Sequence, residues 1–211
     1  YYNCNYYKLH RKMDYDTKLW NKYTDDNQKS EQKELSKLIY YTTIMLGGKK
    51  VCDAGCNIGN NLSAFPNNQD VHGVDINEYA IEQAKKRYPS FKFNCTSIDE
   101  TSFTDSFFDI VFTRGVLNHI PKKSMKPVMD ELYRISKKWI FHLEYFGEDG
   151  KTIEWKRRKD LLWYRNMREL WGEYNVEIIS DIEIPLEIDS GKSRLTILKK
   201  FIKKSKFENY N

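Results

Sequence analysis

Strand-like apolar runs alternate with amphipathic stretches along the chain, and this alternation restricts the fold more than any other feature. Lys50–Ala54, Val71–Ile76, Phe91–Cys95, Asp109–Thr113 and Trp139–Tyr145 read as strands. The stretches 30–46, 77–88, 123–136 and 160–171 repeat apolar residues at helical spacing. Gly47-Gly48 stops the first helix and Pro89 the second. Such an order argues for an α/β fold with a parallel sheet and helices on both faces. Val176–Ile184 and Arg194–Leu198 follow with only the Asp189-Ser190-Gly191 turn between them. They read as a hairpin that adds an antiparallel edge.

Composition narrows the class further. The chain has 211 residues, which suits one domain with a small appendage. An aromatic content of 15% excludes a solvated coil. No apolar run approaches the ~18 residues of a membrane span. The net charge of +5 lies mostly in Lys199, Lys200, Lys203, Lys204 and Lys206. A globally basic nucleic-acid binder is therefore excluded, and a basic C-terminal tail over 201–211 is the narrower expectation. Cys4, Cys52, Cys56 and Cys95 form no Cys-x-x-Cys pair and no dense scaffold, so they read as reduced thiols. No secretory signal opens the chain, and the expected compartment is the cytoplasm. The start at Tyr1 suggests one domain of a longer polypeptide. Residues 1–28 are polar, end in an N-cap-like Thr24-Asp25-Asp26-Asn27 cluster, and form a helical or irregular extension or lid. Residues 29–200 then make the main domain.

The loop Asp53-Ala54-Gly55-Cys56-Asn57-Ile58-Gly59 follows a strand and precedes a short helix. Gly55 and Gly59 tolerate positive φ, and Asn57 is the next best residue there. The loop is neither a triphosphate P-loop nor Gly-x-Gly-x-x-Gly. Asp75 closes the next strand, where a carboxylate can accept both hydroxyls of a ribose. Ile76 offers an apolar face to a base, and Ser97-Ile98 can frame its other side. Asp53 would orient the loop amides or meet a cationic group. Together these residues point to a nucleoside cofactor.

Val51–Gly59, with Gly73-Val74-Asp75 and Phe108–Phe112, resembles the class I S-adenosylmethionine-dependent methyltransferases over about residues 30–200. That resemblance implies a Rossmann-like seven-stranded, mostly parallel sheet with a reversed last strand. It also implies S-adenosylmethionine as cofactor and S-adenosylhomocysteine as product. Gly55–Leu62, Asn77–Ala80, Gly115–Ile120, Glu144-Tyr145, Lys159-Asp160 and Leu162–Arg165 are similar, more narrowly, to methylases associated with pseudaminic acid biosynthesis. The chain departs from that group at Asp26 (Arg expected) and at Arg157-Arg158 (Gly-His expected). Ser97 stands where many relatives carry an Asp for the adenine amino group, so serine or the Ile98 backbone must serve.

Methyl transfer to a hydroxyl needs alignment and removal of a proton. His119, just past the fourth strand, is the first candidate base. His142 and Glu144 share a face of the fifth strand and are the others, Glu144 equally as a hydroxyl-binding residue. Arg114 can meet the methionine carboxylate or an acidic acceptor. Tyr145, Arg158, Asp160, Trp163 and Arg165 form a charged and aromatic set suited to stacking on a sugar and bonding its hydroxyls. No metal-ligand pattern is present, and the Asn/Asp-Pro-Pro-Tyr/Phe motif of amino-group methylases is missing. The expectation is O-methylation of a carbohydrate acceptor, a glycan or nucleotide sugar such as a deoxyhexose, with fused glycosyltransferase domains as partners. The alternative is a tRNA or rRNA methylase that uses the basic tail.

Overall fold

The computed structural model describes residues 16–28, 32–189 and 191–201. Helix α1 spans Thr17–Gln28 and α2 spans Lys33–Met45. Strands β1 (Lys50–Ala54), β2 (Asp70–Asp75), β3 (Lys92–Cys95), β4 (Phe108–Arg114) and β5 (Ser136–Tyr145) alternate with α3 (Glu78–Arg87) and α4 (Lys122–Ile135). A short α5 (Met167–Leu170) precedes β6 (Val176–Glu183) and β7 (Ser193–Lys200). The strands make one seven-stranded sheet in the order β3-β2-β1-β4-β5-β7-β6. The reversal of strand order between β1 and β4 puts a crevice at the carboxyl ends of the strands.

Strand β1 shows why the sheet is covered on both faces. Val51 packs into one cluster with Ile39 and Leu35 of α2 and Ile81 of α3. The next residue, Cys52, faces the opposite cluster with Met129, Leu132 and Ile135 of α4. Apolar residues at successive positions leave neither face suited to water, which is the pattern of a parallel core strand.

The expected hairpin is present: β7 pairs antiparallel with β6 and joins the sheet through β5, so β7 is the reversed strand and β6 the outermost one. Two expectations change. The helix expected at 160–171 shrinks to the four residues of α5. Lys151–Arg165 instead folds back on itself, with Ile153 N–H donating to Leu162 O at 2.8 Å and Tyr164 N–H to Lys151 O at 2.9 Å. The adjacent Leu161-Leu162-Trp163 run is satisfied by extended pairing, and Asn166 caps the short helix by accepting from Arg168 N–H. The Thr24–Asn27 cluster lies within the second half of α1 rather than at a helix start.

Cys52 and Cys56 are free and buried. Cys95 is disulfide-bonded, against the reduced-thiol expectation there. Cys4, residues 1–15, Ser190 and the tail beyond Phe201 lie outside the described residues. Of the basic run, Lys199 and Lys200 belong to β7. Among the described residues no helix is long and apolar enough to cross a membrane.

Candidate cofactor and acceptor site

A cavity of about 570 Å³ opens at the carboxyl edge of the sheet. Its floor at one end is the turn after β1. Gly55 sits at φ +87° with its Cα against Val116, where an added Cβ would stand 2.4 Å from a Val116 methyl. Asn57 takes φ +47°. Asp75 ends β2, and its two carboxylate oxygens accept one backbone N–H each, from Asn57 and Asn77, both at 2.8 Å. Burial raises its pKa, against the pull of those amides. Ile76, Ser97 and Ile98 also line this end, together with Asp99. The Ser97 hydroxyl donates to Asp99. A carboxylate thus lines the cavity two residues after position 97, in the turn after β3.

Asp53 and Gly59 stand behind this wall rather than on it. Asp53 is wholly buried, and the Asn61 amide donates to both its oxygens at 3.2 and 3.1 Å. Burial pushes its pKa up to about 7. It acts on the cavity through Asn61, which lines it and whose Oδ1 accepts from Arg114 at 3.4 Å. Gly59 caps the 3₁₀ turn Asn60–Leu62 at φ +78°. Arg114 reaches the wall from the end of β4, and its buried Nε has no hydrogen-bond partner. Gly115 beside it has nothing within 4 Å of where a Cβ would be.

The other end is aromatic. Trp20 and Tyr23 of α1 line it with His119, Tyr145 and Trp163. Trp20 meets the His119 ring edge-on at 5.0 Å, and Trp155 backs both. His119 Nδ1 lies 2.6 Å from Leu161 O; a carbonyl only accepts, so Nδ1 carries the proton and Nε2 keeps its lone pair. Burial lowers the His119 pKa to about 4. At the mouth, Arg158 and Asp160 pair with each other, at 2.9 Å from Nε and 2.6 Å from Nη2.

Besides Asp53 and Gly59, three further residues expected to touch ligand, His142, Glu144 and Arg165, do not line the cavity. His142 is completely buried and absent from the cavity wall. Trp171 Nε1–H, which can only donate, binds His142 Nε2 at 3.0 Å. Nδ1–H therefore donates to the Thr113 hydroxyl at 2.7 Å, which donates to Glu144 at 2.7 Å. Glu144 in turn accepts from Val116 and Asn118 N–H at 3.0 and 3.3 Å. This one-way chain engages both imidazole nitrogens and spends the carboxylate on the loop after β4. Arg165 is likewise buried; it donates to the carbonyls of Leu117 and Ile120 and pairs with Asp149 at 3.6 Å. A charge inside the fold keeps its place only when its donors are met, so Arg165 braces the loop instead of a substrate.

Trp20, Tyr23, Asn61 and Asp99 were not apparent from the sequence. Trp20 and Tyr23 are three apart on one helix, a spacing that signals a shared face but not what that face covers. Among the described residues no group of three His, Cys, Asp or Glu could hold a metal.

Residues 51–138 match the family model described as a methyltransferase domain. That stretch runs from β1 into β5 and contains the glycine turn and Asp75. A solved S-adenosylmethionine-dependent methyltransferase from Methanosarcina mazei superposes with a TM-score of 0.61 at 19% identity, covering 73% of this chain and 93% of that one. The Burkholderia thailandensis 1,6-didemethyltoxoflavin-N1-methyltransferase, solved with S-adenosylhomocysteine, gives 0.64 at 16% identity over 83% and 81%. Wheat phosphoethanolamine N-methyltransferase is 30% identical over 99 residues, 44% of this chain and 18% of that protein. The chain thus spans about a fifth of the length of the curated relatives it matches, 18% and 19%. The Burkholderia enzyme, and the Synechocystis magnesium protoporphyrin IX methyltransferase at 17% identity and a TM-score of 0.59, were solved with S-adenosylhomocysteine and S-adenosylmethionine bound, respectively.

Proposed function

We propose that the chain, through a domain reaching from α2 to β7, methylates a hydroxyl of a carbohydrate acceptor, a glycan or nucleotide sugar. The acceptor end of the cavity carries this reading: its aromatic walls (Trp20, Tyr23, Tyr145, Trp163) suit the apolar face of a sugar ring. The Arg158–Asp160 pair at the rim suits hydroxyl edges, and its two charges cancel.

The residues present fit the cofactor. Asp75 has lone pairs left for a ribose diol, Ile76 and Ile98 give apolar faces for a base, and Asp99 stands beside Ser97 for polar contacts with it. The unpartnered Arg114 Nε calls for an anion such as the methionine carboxylate. When bound, S-adenosylmethionine supplies an electrophilic methyl group on sulfur. His119 Nε2 then takes the hydroxyl proton. A pKa near 4 suffices, because the hydroxyl becomes strongly acidic as its oxygen bonds to carbon. Exclusion of water by Trp20, Tyr23 and Trp163 protects the transfer.

The test supplies methyl-labelled S-adenosylmethionine with deoxyhexosides, with phosphoethanolamine and other amines, or with RNA. Label on a sugar oxygen is expected. Label on an amine, the chemistry named for the wheat relative, would overturn the acceptor assignment and leave the cofactor intact. Label on RNA would favour the alternative reading; of the lysines it invokes, Lys200 is already held by the carbonyls of Tyr133 and Ser136 at 2.7 and 2.8 Å, while Lys203, Lys204 and Lys206 lie outside the described residues.

A further inference from the structure

The structure assigns Thr24 as a positioning residue that locks the acceptor wall carried by α1 to the carboxylate of Asp75, an inference that rests on Asp75 holding the ribose. Thr24 is the buried residue of an otherwise accessible helix. Its hydroxyl donates to Trp20 O at 3.0 Å. It also faces the side-chain nitrogens of Asn57 at 3.1 Å and Asn77 at 3.3 Å.

The orientation of both amides is forced. Asn57 Oδ1 accepts from Ile58 N–H at 2.9 Å, and Asn77 Oδ1 accepts from Tyr79 N–H at 3.1 Å at the start of α3. Their NH2 groups must therefore point at Thr24, which uses one hydroxyl proton and both lone pairs. The backbone N–H groups of these same two asparagines hold the two oxygens of Asp75. One hydroxyl thus bridges the two residues that set the carboxylate. Trp20 is one helical turn before Thr24, and Tyr23 is its neighbour, so the aromatic wall is anchored at the same point. Seating the ribose steadies the asparagines, the asparagines hold Thr24, and Thr24 holds the wall.

Wild type, Thr24→Val and Thr24→Ser are titrated calorimetrically with S-adenosylhomocysteine, and amide exchange of residues 17–28 is followed with and without it. Valine keeps the shape and removes the hydroxyl, leaving two buried amide donors without their acceptor. The expected result is about tenfold weaker binding in Thr24→Val. Ligand-induced protection of 17–28 is lost in that variant, and Thr24→Ser restores both. A purely structural role would lower melting temperature without uncoupling α1 from the ligand. Unchanged affinity and protection in Thr24→Val, or failure of Thr24→Ser to restore them, overturns the assignment. Should the valine variant not fold, wild type decides: no ligand-induced protection of 17–28 overturns it. If wild type does not bind S-adenosylhomocysteine at all, the cofactor-site reading falls first.

Discussion

Replacing Glu144 by glutamine separates a scaffold from a catalyst. The direction of the buried chain from Trp171 is fixed, because an indole N–H donates only. His142 must then donate to Thr113, and Thr113 must donate to position 144. A carboxylate accepts that hydroxyl and the N–H groups of Val116 and Asn118 together. A glutamine offers one accepting oxygen and one NH2. If its oxygen meets Thr113, it can keep half of the shared Val116 N–H bond, but its nitrogen faces the Asn118 N–H donor; if it is flipped, the Thr113 hydroxyl is stranded. Either way at least one buried donor loses its partner, worth about 1–3 kcal/mol, with a further loss from the charge-assisted bonds. Glu144→Gln is therefore expected to cost about 2–4 kcal/mol, read as a lower urea midpoint at unchanged slope. In a chain of this size that lowers Tm by about 5–15 °C. Glu144→Ala, which strands every donor, costs more. S-adenosylhomocysteine binding should persist in Glu144→Gln below its melting temperature. A glutamine variant with wild-type stability and abolished methyl transfer would refute the scaffold argument and return Glu144 to the chemistry.

Arg114→Met should weaken S-adenosylhomocysteine by about 10–100-fold, the worth of a charge-assisted bond to its carboxylate. Adenosine, which lacks that carboxylate, should bind as to wild type in the same titration; equal losses for both ligands contradict the assignment. Gly55→Ala forces a side chain into φ +87° and 2.4 Å from Val116, at a cost of about 2–4 kcal/mol. An unchanged urea midpoint in that variant speaks against the close approach. His119 titrates near 4 when folded against an ordinary 6.5. Between those values the unfolded chain binds a proton that the folded chain refuses, so this residue's contribution to stability is complete above about 6.5 and declines as pH falls toward 4. Imidazole nitrogen NMR of the folded protein should show no protonation of His119 on going from pH 7 to 5, and an inflection near 6.5 would deny its burial.

Much of the end of the cavity around the glycine turn is legible in the sequence alone. Gly55 and Asn57 announced a positive-φ turn by residue type alone, and the structure finds both at positive φ on the cavity wall. Asp75 was placed by counting to the end of a strand. The acceptor end was harder. Period two put His142 and Glu144 on one face of β5, which is correct, but it could not say that the face looks into packed helix rather than solvent. The same limit misassigned Arg165, whose guanidinium turns inward to two carbonyls. The helical reading of 160–171 failed because Leu161-Leu162-Trp163 suits extended pairing as well as a helix face, and the partner strand lies about ten residues earlier.

Local sequence determined the elements, the nucleoside-type turn and the covered parallel sheet, because backbone permissiveness and apolar period are properties of neighbouring residues. Only the tertiary structure decided that α1 closes on the cavity, that β7 lies between β5 and β6, and which titratable side chains line the cavity. Those outcomes depend on contacts between residues far apart in the chain, Thr24 with Asn77 and Trp171 with His142 among them. There a hydrogen bond's direction and a side chain's access to water are set by packing, which no local pattern encodes.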